Sequence, residues 1–354
     1  MLTVTDSLYS EKYRANARVV EVATTSDEEL GPFKLLPGTW KNTDRLKGRG
    51  WNMIALPFAA EGGALDYRLL VNQFDEELKF SLVDKRVPNR GIDLGEPGVR
   101  GDSTNTDQLV VTLDYEQMIE QIAADDAPAS GLAGAPELAI HHEPGLFLHM
   151  GEPRTDGISI ARLASIPHGN SALALGRFLK TDQPARIEDI SGLPIGVFPP
   201  PADGVEIPEE EMLERAYLAP YKHFHDERFQ GLFDPVHPNA LLNALPTNVV
   251  NNTVLFLDTT LDRAGVHNIP FVERQADVTE MKATFWILEL DGDGEDAPNL
   301  LLAYTQTVML EFFPRRDGEP GLIKWPHVSI NVMEKVVEEA TPEKPSMPSQ
   351  YYGA

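Results

Sequence analysis

The chain has 354 residues and no cysteine, and it sets 30 lysines and arginines against 55 aspartates and glutamates, a formal charge of −25. The lack of cysteine excludes disulfides, thiolate metal sites, iron–sulfur ligation and a Cys nucleophile, leaving His, carboxylate and hydroxyl chemistry. The acid excess argues against nucleic acid or an anionic membrane as partner, because phosphate contact needs clustered Lys and Arg.

Apolar residues at 42 % and charged residues at 24 % describe a globular chain with a sizeable core. No stretch reaches 18 uninterrupted apolar residues, the length a membrane helix needs. The first twenty residues lack a basic segment followed by an apolar one. The expectation is therefore a soluble, cytoplasmic protein, whose oligomeric state is not legible.

In chain order, residues 1–30 form a polar lead-in. Residues 31–180 read as short strands between turn residues: Trp51–Pro57, Tyr67–Gln73, Leu78–Leu82, Leu109–Leu113, Gly145–His149, Ile158–Ala164 and Ala172–Phe178. Tyr115–Ala123 is the best match there to a helical period. Residues 181–250 change character. Pro and Gly cluster over Ser191–Gly204, which no regular element tolerates. Pro208 then opens a helix whose first turn carries Glu209, Glu210 and Glu211 at the positive end of its dipole. Asn239–Leu245 suggests another short helical turn. Residues 251–337 return to strands, at Thr253–Leu257, Ala283–Leu290, Leu301–Phe313 and Trp325–Met333, before a charged, Pro-rich tail over 338–354. Sheets close into barrels to remove their edges. The two β-rich parts therefore read as one antiparallel barrel carrying a long, partly helical insertion, which could cover one end.

Several motifs sharpen this. Gly38-Thr39-Trp40 suits a first strand that bends tightly and caps the barrel floor with indole. Gly48 and Gly50 open the next segment, and Phe74–Phe80 alternates as a half-buried strand. His142-Glu143-Pro144-Gly145 and Pro167-His168-Gly169-Asn170 follow, ending on Gly176. In this order the motifs resemble the nitrobindin-like, fatty-acid-binding-protein-like haem barrels related to the lipocalins. They are closest to the longer proteins described as peroxidases with a fatty-acid-binding-protein-like domain. The resemblance covers Phe33–Phe178 and Thr284–Val337. It departs at the seven residues Lys41–Lys47, which separate Trp40 from Gly48.

The resemblance implies a mainly β, lipocalin-like fold that holds haem b, with His327 on the last strand as proximal iron ligand and metal-binding residue. Strand alternation is compatible with that: His327, Ser329 and Asn331 share one face, Val328, Ile330 and Val332 the other, and one of the two lines the barrel. A strand histidine bonded to backbone or facing solvent fits the same residues. His168, in turn chemistry near a barrel mouth, is the candidate catalytic acid–base group for peroxidase- or peroxygenase-like oxidation, or else an ordinary turn residue. His149 could point inward, and the neighbours His141 and His142 would face opposite ways.

His223-x-His225 raises a metal site, but it follows a predicted helix, where residues two apart diverge. The Asp291–Asp296 stretch imitates a calcium loop, yet position 12 is Leu302 rather than Glu. No G-x-S-x-G, Walker or H-E-x-x-H motif occurs. The rival to a haem barrel is a haem-free carrier of a hydrophobic small molecule, or a cofactor-independent enzyme acting on one.

Overall fold

The computed structural model describes residues 27–58, 65–93, 104–151, 157–166, 169–199, 207–269, 276–292 and 299–336, with backbone alone for 85–93 and 104–108. Twelve antiparallel strands occur among them: β1 Gly38–Lys41, β2 Gly50–Pro57, β3 Tyr67–Asp93, β4 Thr104–Ala127, β5 Leu138–Met150, β6 Ile160–Ser165, β7 Asn170–Thr181, β8 Val249–Asp258, β9 Gly265–Asn268, β10 Asp277–Leu290, β11 Leu300–Pro314 and β12 Leu322–Val336. They form one sheet in the order β1-β12-β11-β10-β8-β7-β6-β5-β4-β3-β2, and it closes because β1 and β2 each pair with both β3 and β12. β1 and β2 lie end to end in a single place between those strands, and β9 continues the place of β8 along β7. The result is a ten-place barrel of the lipocalin and fatty-acid-binding-protein type. Strands from both halves of the chain complete it, as the split pattern implies.

The alternation that builds a closed barrel is plain in β7, where Asn170, Ala172, Ala174 and Gly176 are buried and the residues between them are more exposed. Gly176 admits no side chain, since a Cβ there would lie 1.9 Å from the Phe256 carbonyl oxygen of β8. Tyr115–Ala123 lies in β4 and is not helical. Tyr115, Gln117, Ile119 and Gln121 are buried while Glu116, Met118 and Glu120 are exposed, a period of two. The apolar residues alone suggested a helix because two of the inward positions are glutamines.

The floor is a 3-10 segment, Glu28–Phe33, that tucks Leu30, Phe33 and Leu36 under the strands. Gly31 turns the chain there with φ of 55°, a left-handed value that glycine adopts without penalty. Trp40 is fully buried and donates Nε1–H to the Leu36 carbonyl at 2.9 Å. Lys335 lies over its ring and donates to the Leu35 carbonyl at 2.7 Å. Burial pulls that ammonium down to about 8.

Between β7 and β8 the chain leaves the barrel. Its helices are α1 Glu209–Leu213 and α2 Ala219–Asp226, with 3-10 turns at Ala216–Leu218 and Pro238–Ala244. This segment packs against β2, β3, β11 and β12. Trp51 stacks on Phe233 with centroids 5.7 Å apart and meets Phe229 edge-on at 6.1 Å. Thr305 donates to the Asn239 side chain at 2.7 Å. Ile195 and Lys324 exchange backbone hydrogen bonds of 2.8 and 3.0 Å. Towards the end opposite the floor, Tyr67 donates to the Tyr217 carbonyl at 2.5 Å and lies 4.5 Å from Trp325.

Candidate functional site

Which side chains face the lumen follows from bonds between strands that are not neighbours. Arg162 on β6 donates to Gln306 on β11 at 2.6 Å. Phe147 on β5 meets Phe285 on β10 at 5.8 Å. Only the interior joins these walls. Directly opposed residues of antiparallel strands project to the same face. The pairs Gln306–Ser329, Val308–His327, Ser329–Asn52, Asn52–Asn72 and Ile54–Leu70 therefore extend the luminal surface around the wall. The face of β12 bearing His327, Ser329 and Asn331 lines the barrel.

A polar layer crosses the lumen at mid-height. Arg162 and Glu143, both almost fully buried, bond at 2.5 Å. The Tyr115 hydroxyl donates to Glu143 and accepts from Arg162 Nε at 3.0 Å. Burial alone would push the Glu143 carboxyl up, but the guanidinium and the hydrogen bonds from His141 and Tyr115 hold it down to about 2. Beside this group, Glu76 accepts from Gln117 at 2.7 Å, from Tyr304 at 2.6 Å and from Asn331 at 2.9 Å. All three partners are neutral, so burial dominates and its carboxyl lies above the ordinary range. A cavity of about 10 Å³ separates the two networks, about the volume of one water. Below the layer, Phe33, Phe80, Phe147 and Phe285 fill the lower barrel. His149 sits among them, buried between Phe33 and Phe178 against Gly31. Its Nδ1 has no hydrogen-bond partner among the described residues, and burial, with Lys180 nearby, pulls the imidazole down to about 4.

Above the layer the burial pattern inverts. The outward residues Trp51, Met53, Val328 and Ile330 are buried, because the insertion covers them. Of the inward residues, Asn52, Ile54, Leu70, Gln306, His327 and Ser329 keep partial exposure, while Val308, Leu310 and Trp325 are buried. The upper lumen is thus reached by solvent at some of its side chains, while the His327 Nε2 atom is itself buried. Its wall mixes apolar Ile54, Leu70 and Val308 with Asn52, Gln306, Ser329 and His327. The Asn52 Oδ1 is buried without a partner among the described residues. At the rim, Arg68 pairs with Asp126, which also binds Ser130.

Of the residues singled out by sequence, His327 stands on the upper luminal wall, while His168 lies outside the described residues. His141 faces inward and meets Glu143 at 3.3 Å; its neighbour His142 meets Glu116 on the outer face at 3.2 Å. His223 and His225 fall in α2, and His225 bonds Asp234 at 2.9 Å. No cluster of three metal-ligating side chains occurs among the described residues, nor any helix long and apolar enough to cross a membrane.

Sequence reasoning missed Glu76 and Arg162 as luminal groups. The signal was available: each is in phase with apolar residues along its strand, Phe74-x-Glu76-x-Leu78-x-Phe80 and Ile160-x-Arg162-x-Ala164. No protein-family model, no curated protein and no solved structure matches the chain.

Proposed function

We propose that this barrel is a small-molecule-binding protein whose upper lumen takes a hydrophobic planar ligand, haem b, held through His327. The observation that carries the proposal is the position of His327: an inward-facing imidazole on a barrel strand, level with Ile54, Leu70 and Val308. These residues suit the group, since an imidazole held rigidly by a strand can serve as an axial ligand and the aliphatic wall suits a flat apolar face. When bound, haem supplies an iron centre whose reactivity depends on the polarity and access of the side away from its protein ligand. Gln306, Ser329 and Asn52 are the polar side chains at that level of the wall, and His141, bonded to Glu143 at 3.3 Å, also faces the lumen. Oxidative use of the site, peroxidase-like, is the finer form of the proposal.

The test is a haemin titration followed by quenching of tryptophan fluorescence. Saturation at one haemin per chain, abolished by the lumen-filling variant Ser329→Trp, supports the site. Equal binding by that variant refutes it. A haem-free hydrophobic carrier would instead stay colourless with haemin and take up an apolar fluorescent probe.

A further inference from the structure

We propose a further binding site outside the barrel: a cleft on the outer face of β5, β6, β7 and β9 that takes a small amphipathic anion. Its ligand has an apolar body and one carboxylate or sulfonate group.

Strand alternation sets the floor of this cleft. Arg162, Ala172 and Ala174 face the lumen, so Leu163 of β6 and Leu173 of β7 face outwards. In register they belong to one row across the wall, Leu146–Leu163–Leu173–Gly265. The row ends on a residue without a side chain. Beyond its chain neighbours, no described atom lies within 4 Å of where a Gly265 Cβ would stand. Over the two half-buried leucines lies a cleft of about 400 Å³, bounded by Pro144 of β5 and by Ala264 of the β8–β9 loop. Small-molecule sites occupy about 300–1,000 Å³ and are mostly apolar, with a few convergent polar groups.

The polar groups here are hydroxyls, an imidazole and a guanidinium. Ser165 and Ser171 are cross-strand partners with hydroxyl oxygens 3.4 Å apart, and His267 stands opposite Ser171 on β9. Arg263, two residues before Gly265, also lines the cleft. Its guanidinium meets Asp262 at 3.7 Å, but both side chains are at least 90 % exposed. Solvent weakens such a pair, which leaves the cation able to take another anion. Acids outnumber bases by 55 to 30 in the chain, yet no described residue lining the cleft is acidic. An apolar floor beside two hydroxyls and a guanidinium matches a ligand with an apolar body and a single negative end. The net charge of −25 disfavours an anionic bilayer as its source, so the ligand is a free molecule.

The experiment titrates the protein with anilinonaphthalenesulfonate and with uncharged phenylnaphthylamine, which share their aromatic rings, and follows probe fluorescence. Arg263→Glu should weaken sulfonate binding at least about fivefold and leave the amine within about twofold. Arg263→Lys should keep most of the sulfonate affinity. Leu173→Glu sets a carboxylate on the floor and should weaken both probes at least about tenfold. Ser171→Glu, at an exposed position, should weaken the sulfonate and stands in if Leu173→Glu does not fold. Ser329→Trp, inside the barrel, should leave both probes bound as in the wild type. Sulfonate binding that Arg263→Glu leaves intact, or that Ser329→Trp abolishes, overturns the proposal, as does failure of the wild type to bind it. A wild-type dimer that Leu173→Glu dissociates would assign the cleft to a second copy of the chain and overturn the proposal as well.

Discussion

His149 is a neutral histidine in a site that resists its protonation, and this makes stability depend on pH. Its ring lies between Phe33 and Phe178 with a buried, unpartnered Nδ1, and its pKa falls from 6.5 to about 4. Between those values the unfolded chain binds the proton and the folded chain does not, so stability rises with pH across the window. Above 6.5 both states are neutral and nothing is lost. At about 1.4 kcal/mol per pH unit, acidification to about pH 5 removes about 2 kcal/mol, and to about pH 4 about 3 kcal/mol. The assay is urea unfolding followed by tryptophan fluorescence at about pH 7.5 and about pH 5, for wild type and His149→Leu. Carboxylates contribute to both slopes and cancel in the difference, so the variant should lose about 2 kcal/mol less than wild type on acidification. Equal losses in the two proteins would refute the reasoning.

Glu143→Gln breaks a buried ion pair and should cost about 3–5 kcal/mol, measured by denaturant unfolding, whereas replacing the pair together as Arg162→Met with Glu143→Leu should cost much less. In the wild type the stabilisation due to ionised Glu143 is fully present above about pH 4.5 and is lost as the pH falls towards about 2. Trp51→Ala removes the ring on which Phe233 and Phe229 pack, and should cost about 3–5 kcal/mol in thermal unfolding while speeding proteolysis between Thr181 and Val249. Gly31→Ala sets a Cβ 2.4 Å from His149 Cε1 at φ of 55°, so unfolding should begin at lower denaturant; an unchanged midpoint would contradict the packing described for the floor.

The barrel was legible because its strands announce themselves by period, and because the two β-rich parts each lacked a partner for their edges. What misled was charge and amide placed inside. Gln117 and Gln121 point into the lumen, and with them counted as surface residues β4 loses its alternation and imitates a helix. Glu76, Glu143 and Arg162 went unassigned for the same reason, since a charged residue on a strand usually faces solvent. Around His327 the difficulty was the reverse. Val328, Ile330, Trp51 and Met53 are apolar and buried, yet they face outwards, under a segment whose packing has no periodic signature. Sequence alternation separated the two faces of β12 but could not decide which lined the barrel. The bond across the lumen from Arg162 to Gln306 decides it.

Haemin added to the purified protein, read by its Soret absorbance in wild type and His327→Ala, bears most directly on the proposed site. The account predicts an intense band with a histidine-ligated ferric spectrum in the wild type. In the variant, affinity should fall at least about 10–100-fold, with partial recovery of the spectrum on adding imidazole. His327→Ala should remain folded, because deleting one partly exposed strand side chain typically costs only about 1–3 kcal/mol. An identical spectrum and affinity in the variant, or no haemin uptake by the wild type, would contradict it.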